Sequence, residues 1–253
     1  MKNVTPTLNK IETGLNIAFG HSFTSFDQNK IKINKKTLEK SLSCAILFSG
    51  LLLASVCQAQ KTVKYNLAAL LAGNKLLVNR PVRADALTDG RYKGVSCQGI
   101  VWLKGLTFST GTIDIDLRGK DVFQQSFLGI AFYGVDTTAY DAVYFRPFNF
   151  LADDSLRRKH MVQYVSEPEF PWYRLRKEYP LTYESSVTPA INGKDWFHAH
   201  IVVTESTVTV YVDHSAVPSL TVQKLSSRKE GKFGLWTYAL SGDFANLEIK
   251  TNK

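Results

Sequence analysis

The chain is poor in cysteine, with three in 253 residues, at Cys44, Cys57 and Cys97. The first two lie in or beside its one long apolar run, so Cys97 alone is left for the rest of the protein. One cysteine forms no internal bridge, which excludes a disulfide framework and leaves the fold to its own core. Cys97 lies in a strand-like stretch (VSCQGIV) and reads as a buried small hydrophobe rather than a nucleophile. No nucleophile elbow of the G-x-S-x-G kind occurs, and no glycine loop of the kind that cradles phosphate. A dense basic stripe is also missing. The cationic surplus is scattered apart from residues 157–159 and 174–177, which argues against a nucleic-acid partner.

The apolar run is 42–56 (LSCAILFSGLLLASV), uncharged and preceded by Lys30, Lys32, Lys35, Lys36 and Lys40. A membrane span needs roughly 20 apolar residues, and no second such run follows. With Cys57 and Ala59 at the positions before a cut after Ala59, the segment reads as a secretory signal. The expectation is therefore an exported protein without a stable membrane span. Residues 1–59 form an N-terminal extension plus signal, and 60–253 a single domain. A lipoprotein would be acylated at Cys57, but the branched Val56 before it weighs against that. Removing 1–59 lowers the formal charge from +9 to about +5, so much of the basic character belongs to the leader.

From residue 61 onward the pattern is β. Ten stretches (96–103, 111–118, 127–133, 139–145, 161–166, 196–203, 207–212, 220–224, 231–238 and 244–250) are rich in Val, Ile, Thr and aromatics, and turn residues separate them. In 111–118, Ile113, Ile115 and Leu117 alternate with Asp114, Asp116 and Arg118. Only 66–72 hints at a helix. The fold expected is all-β, a two-sheet antiparallel sandwich or jelly roll. One long stretch, 168–195, is expected to be irregular: it holds four prolines and five aromatics, Trp172 and Tyr173 among them. Trp102, Trp196 and Trp236 lie in strands and are expected in the core, which leaves Trp172 as the tryptophan placed to meet a ligand.

The order of segments carries a resemblance. FSTGTIDIDLR (108–118) is followed by FLGIAF, AYDAVYFR (139–146) and HMVQY (160–164), then WFHAHIVV, TVTVYVD, GKFGLW and FANLEI. This order resembles concanavalin A-like sandwich domains of the laminin-G type. It also resembles exported bacterial domains described as 3-keto-disaccharide hydrolase-like or family-16-like glycosidases. The match covers roughly 95–250. It implies a curved sheet whose concave face binds carbohydrate, and it is specific to fold rather than activity, because this architecture hosts lectins, glycosidases and protein-binding modules alike. The family-16 pattern of acids at relative positions 0, 2 and 5 fails on Asp114 and Asp116, since Gly119 stands at the third place.

The ligand-binding residues expected on this reading are Tyr144, Arg146, Gln163, Tyr164, Trp172 and Tyr173. Arg146 and Gln163 would fix hydroxyls with their side-chain donors. Glu167 and Glu169 flank Pro168 and would share one face if the chain there is extended. They are the carboxylates a glycoside-cleaving alternative would need, with a carboxyl raised beside an apolar ring. Asp114 and Asp116 share a strand face, where the plain reading has them in solvent beside Arg118. His160 follows three cations, which disfavour its protonation. His198 and His200 are two apart on a strand, without a third ligand at supporting spacing for zinc. No metal site and no cofactor is assigned. Calcium stays open through Asp136, Asp141, Asp153, Asp154, Asp213 and Asp243, as in some laminin-G-like domains. A protein-binding module of the laminin-G kind is the further alternative.

Overall fold

The structure is a computed structural model and describes residues 61–78 and 83–251. The apolar run at 42–56, Cys44 and Cys57 lie outside the described residues. Among the described residues no helix is long and apolar enough to cross a membrane.

Two antiparallel sheets face one another. The first comprises β1 (Lys61–Tyr65), β3 (Arg83–Asp89), β4 (Tyr92–Gln98), β6 (Gly111–Arg118), β11 (Phe197–Val203), β12 (Thr207–Val212), β13 (Leu220–Gln223) and β15 (Gly242–Thr251). The second comprises β2 (Leu76–Leu77), β5 (Ile100–Phe108), β7 (Ser126–Gly134), β8 (Tyr140–Phe145), β9 (Val162–Glu167), β10 (Glu184–Ser185) and β14 (Gly231–Ala239). The seven-stranded sheet runs β10-β9-β8-β7-β14-β5-β2, and the other runs β13-β12-β11-β6-β15-β4-β3, with β1 also pairing with β15. The two-sheet sandwich read from the sequence is the observed fold.

Period-2 alternation explains the core. Ile113, Ile115 and Leu117 of β6, Ala199 and Ile201 of β11, and Val208, Val210 and Val212 of β12 are all fully buried. Leu128 and Ile130 of β7, Val143 and Phe145 of β8, and Leu235 of β14 meet them from the other sheet. Full burial of such a side chain contributes about 1.5–3 kcal/mol. Cys97 belongs to this core, and burial pushes its thiol up, which leaves it inert as a nucleophile.

Three differences from the sequence reading have physical causes. The stretch 96–103 is two strands, because Gly99 takes a left-handed φ of 81° and hands the chain from one sheet to the other. The stretch 168–195 is not wholly irregular. It holds helix α3 (Trp172–Glu178), following α1 (Leu67–Ala72) and α2 (Ser155–Arg158), and the short edge strand β10. Helix α3 starts after Pro171, buries Leu175 and carries an Arg174–Glu178 pair at i,i+4. It closes before Pro180, which cannot continue it. Strand β3, whose RADALTD sequence buries no residue fully, has no run of large apolar residues to reveal it.

The outer face of the seven-stranded sheet is low in the middle. Gln163, Tyr144, Gly129 and Trp236 stand in register on β9, β8, β7 and β14. The neighbouring row is Val165, Ala142, Ala131 and Gly234. These small residues leave a trough between taller aromatic walls. A Cβ at Gly129 would overlap the Val143 carbonyl. Gly129→Ala is therefore expected to lower stability by about 1–3 kcal/mol, read as a fall in the urea midpoint with unchanged slope.

Candidate functional site

Above that trough lies a groove of about 660 Å³. Tyr140, Tyr144 and Arg146 reach it from β8 because they alternate with the core residues Asp141, Val143 and Phe145. Val165 and Glu167 enter from β9, and Phe127 from β7. Trp236 and Tyr238 enter from β14, and Trp172 and Arg176 from α3. Beyond Arg146, Pro147 lacks the N–H needed to extend the strand, and a 3₁₀ turn at Pro147–Asn149 presents Phe148 and Asn149. Arg157 and His160 follow from α2 and the turn after it.

The rings form a continuous wall. Tyr144 and Trp236 lie 4.8 Å apart, and Phe127 packs edge-on against Tyr144, Phe148 and Tyr238. Trp172 and Tyr238 stay exposed, at 48% and 65%.

Behind the wall sits a buried polar network. Arg146, only 4% exposed, donates from Nη1 to the His160 carbonyl at 3.0 Å. Its Nη2 donates to the Tyr144 hydroxyl at 2.9 Å and to Gln163 Oε1. Tyr144 donates to the same Gln163 oxygen at 2.9 Å. Glu184 on β10 takes a two-pronged bond from Arg176, at 3.0 and 2.7 Å, with Arg146 Nη1 3.6 Å away. His160 Nδ1 lies 2.8 Å from Glu184 Oε2 but off the angle a hydrogen bond needs. Gln163 Nε2 is buried without a partner among the described residues.

These surroundings set the charges. Burial pushes the Tyr144 hydroxyl up to about 12. Burial also lowers His160, and the Arg176 and Arg146 charges add to the effect against Glu184, so the imidazole is neutral at pH 7. Burial works to raise Glu184, but the Arg176 hydrogen bonds and charge outweigh it and hold the carboxyl below its ordinary range. Burial raises Glu167, with no cation paired to its carboxylate among the described residues.

The groove thus unites Tyr144, Arg146, Glu167 and Trp172, with Gln163 bonded directly beneath. Three expected residues are elsewhere. Tyr164 is a correction: its neighbour Gln163 takes the groove face, so Tyr164 points into the core and donates to Asp141 Oδ2 at 2.7 Å. Glu169 does not share a face with Glu167, because Ser166 and Phe170 pair across a tight turn and turn it out to solvent. Tyr173 is 63% exposed, edge-on to Trp172, and does not line the groove. Conversely, Trp236 is a groove wall and Trp196 lies on the outer face of the other sheet, neither in the core. Phe127, Phe148, Arg157 and Arg176 went unread in the sequence. Period-2 reading from Tyr144 marks the groove face of β8, but nothing local marks α2 or α3 as its neighbours.

Asp114 and Asp116 take histidine partners, not Arg118, which pairs with Asp89 and Asp243. His198 bridges both, at 3.2 and 2.8 Å, and His200 bonds Asp114 at 2.7 Å. The histidines considered for zinc are thus held by carboxylates. Five of the six aspartates considered for calcium, all but Asp153, have carboxylates already engaged, Asp213 by the His198 N–H and Asp243 by Arg118. Asp141 is buried with Tyr164, Ser166, Ser226 and Arg228, and Asp136 and Asp154 cap their own turns. Among the described residues no three His, Cys, Asp or Glu side chains are grouped to hold a metal.

No protein family matches the chain, and no curated protein does. Among solved structures it is similar to the carbohydrate binding module CBM66 from Bacillus subtilis, at 13% identity and TM-score 0.47, over 66% of this chain and 92% of that one. It is also similar to a protein of unknown function with a galectin-like fold from Bacillus subtilis, at 10% and 0.48, over 76% and 96%. A third is domain 4 of AbnA, a GH43 extracellular arabinanase from Geobacillus stearothermophilus, at 14% and 0.46, over 76% and 93%. Nothing about this chain is argued from these likenesses, and what the site does is read from its own side chains.

Proposed function

We propose that the protein is an exported carbohydrate-binding module that holds a saccharide in the groove of the seven-stranded sheet. One observation carries this: exposed rings stand around a trough whose buried floor holds oriented donors and acceptors. Rings suit the apolar C–H faces of a sugar, and fixed Arg, Gln and Asn groups suit its hydroxyls. Gln163 Nε2 is a donor in that floor that no acceptor among the described residues takes up. Export rests on the leader read from the sequence.

Binding is favoured over cleavage because the groove wall holds one carboxylate, Glu167, while Glu184 is locked behind it by two arginines. Two-carboxylate hydrolysis needs a second acid facing the first. A second reading is supported by the raised Glu167 carboxyl, which has the character of a general acid.

Titration calorimetry against a saccharide panel, with product analysis, separates the two. Binding without product, weakened about tenfold or more (about 1.4 kcal/mol per decade) by Trp172→Ala with unchanged melting, or by Trp236→Ala with lowered melting because Trp236 packs on Tyr144 and bonds Tyr140, is the expected result. Product that disappears in Glu167→Gln would make the protein an enzyme. Binding untouched by either tryptophan variant would remove the groove from the function.

A further inference from the structure

We propose that the saccharide held in this groove is anionic, bearing a carboxylate or a sulfate ester that Arg157 and Arg176 receive. This rests on the carbohydrate reading of the groove and adds the chemical class of its ligand.

Three guanidinium groups reach the groove, from Arg146, Arg157 and Arg176, against one buried carboxylate, Glu184, and one on the wall, Glu167. The local balance is therefore positive. It grows more positive whenever Glu167 takes up a proton, which its burial favours.

Arg157 makes no ion pair among the described residues. Its Nε donates to Asn149 Oδ1 at 3.1 Å and its Nη2 to the Phe148 carbonyl at 2.6 Å, so neutral acceptors hold it in place. Its Nη1 makes no hydrogen bond within the described residues, and Arg176 Nη1 makes none either, because Glu184 takes that residue's Nε and Nη2. A guanidinium has five N–H donors in a planar fork that matches a carboxylate or sulfate, so both residues keep charged donors to offer. Each also lies over an exposed ring. Arg157 is 4.4 Å from the Phe123 centroid and Arg176 is 5.3 Å from that of Trp172. An acidic sugar needs this pairing of an anion receptor with an apolar platform. A neutral glycan would leave Arg157 unanswered. Burial raises the Tyr140 and Tyr144 hydroxyls and lowers His160, so these three groups facing the site add no charge at pH 7.

The test measures affinity of the full chain at physiological salt for matched polymers: polygalacturonate against its methyl ester, and sulfated against desulfated chondroitin. Expected is at least about tenfold tighter binding of one anionic member, about 1.4 kcal/mol. Arg157→Gln should erase that preference, Glu167→Gln should strengthen it, and Trp172→Ala should weaken both members. The pair that discriminates tells carboxylate from sulfate. Equal affinity within both pairs, with Trp172→Ala still weakening binding, would overturn the anionic class and leave the groove standing. An anion preference untouched by both Arg157→Gln and Trp172→Ala would be diffuse attraction to a basic protein, and would also overturn it. No binding to any polymer would overturn this proposal and the groove together.

Discussion

Arg146→Met is expected to cost about 3 kcal/mol of stability, in the range for breaking a buried charged network. The guanidinium is almost fully buried, and three backbone or side-chain acceptors depend on it, besides the nearby Glu184 charge. Methionine fills much of the volume but answers none of these. Tyr144 and Gln163 lose the group that orients them, and Glu184 keeps only Arg176. Arg146→Lys restores a charge without the planar fork, and so should recover only part of the loss. Glu184→Gln in the Arg146→Met background should cost less than the sum of the single changes, because the removed groups answer one another. The measurement is chemical denaturation of the wild type, the three single variants and the double variant. A change within about 0.5 kcal/mol for Arg146→Met, the ordinary range of a surface substitution, would mean the network does not hold the groove floor.

The second large effect lies on the opposite outer face. The hydrogen bonds from Asp114 and Asp116, with their charges, raise His198 to about 9 against its burial. A histidine whose folded value exceeds its unfolded value of about 6.5 stabilises fully below pH 6.5, and that contribution is lost as pH rises through 9. The difference corresponds to about 3 kcal/mol, or a fall in melting temperature of roughly 6–12 °C for a domain of this size. His198→Gln should flatten the profile between pH 6.5 and 9 and lower it at the acid end. Burial works to raise Asp114 and Asp116, but the histidine hydrogen bonds outweigh it and hold both below the ordinary range, so acid below about pH 4 also weakens the cluster. The side chains of His198 and Asp114 are 18% and 30% exposed, so solvent screening makes the figure of about 3 kcal/mol an upper bound. A wild-type profile flat from pH 6.5 to 9 would contradict this assignment.

The sandwich was legible because β6, β11 and β12 bury one face and alternate cleanly, so period 2 writes their orientation into the sequence. The same rule placed Tyr144 and Arg146 together. It also excludes Tyr164 from the face of Gln163, a consequence the resemblance to a sugar-binding surface obscured. Arg157, Arg176 and Trp236 were not legible. Their nearness to Tyr144 comes from sheet order and from two short helices docked at its edge, and no local periodicity encodes that. Helix α3 was hidden by its own composition, since aromatics and flanking prolines mask a seven-residue amphipathic helix whose buried anchor is Leu175. Asp114 and Asp116 were placed on the correct face, but their partners lie on β11, some eighty residues away.

The central claim is that saccharide occupies the outer face of the seven-stranded sheet. Hydroxyl-radical footprinting of the protein with and without saturating saccharide tests it most directly, because each outer face carries its own oxidisable rings. Protection of Trp172, Trp236 and Tyr238, with Tyr92 and Trp196 on the opposite face unchanged, is the expected result. Protection of Tyr92 and Trp196 instead would contradict it and move the site to the other sheet.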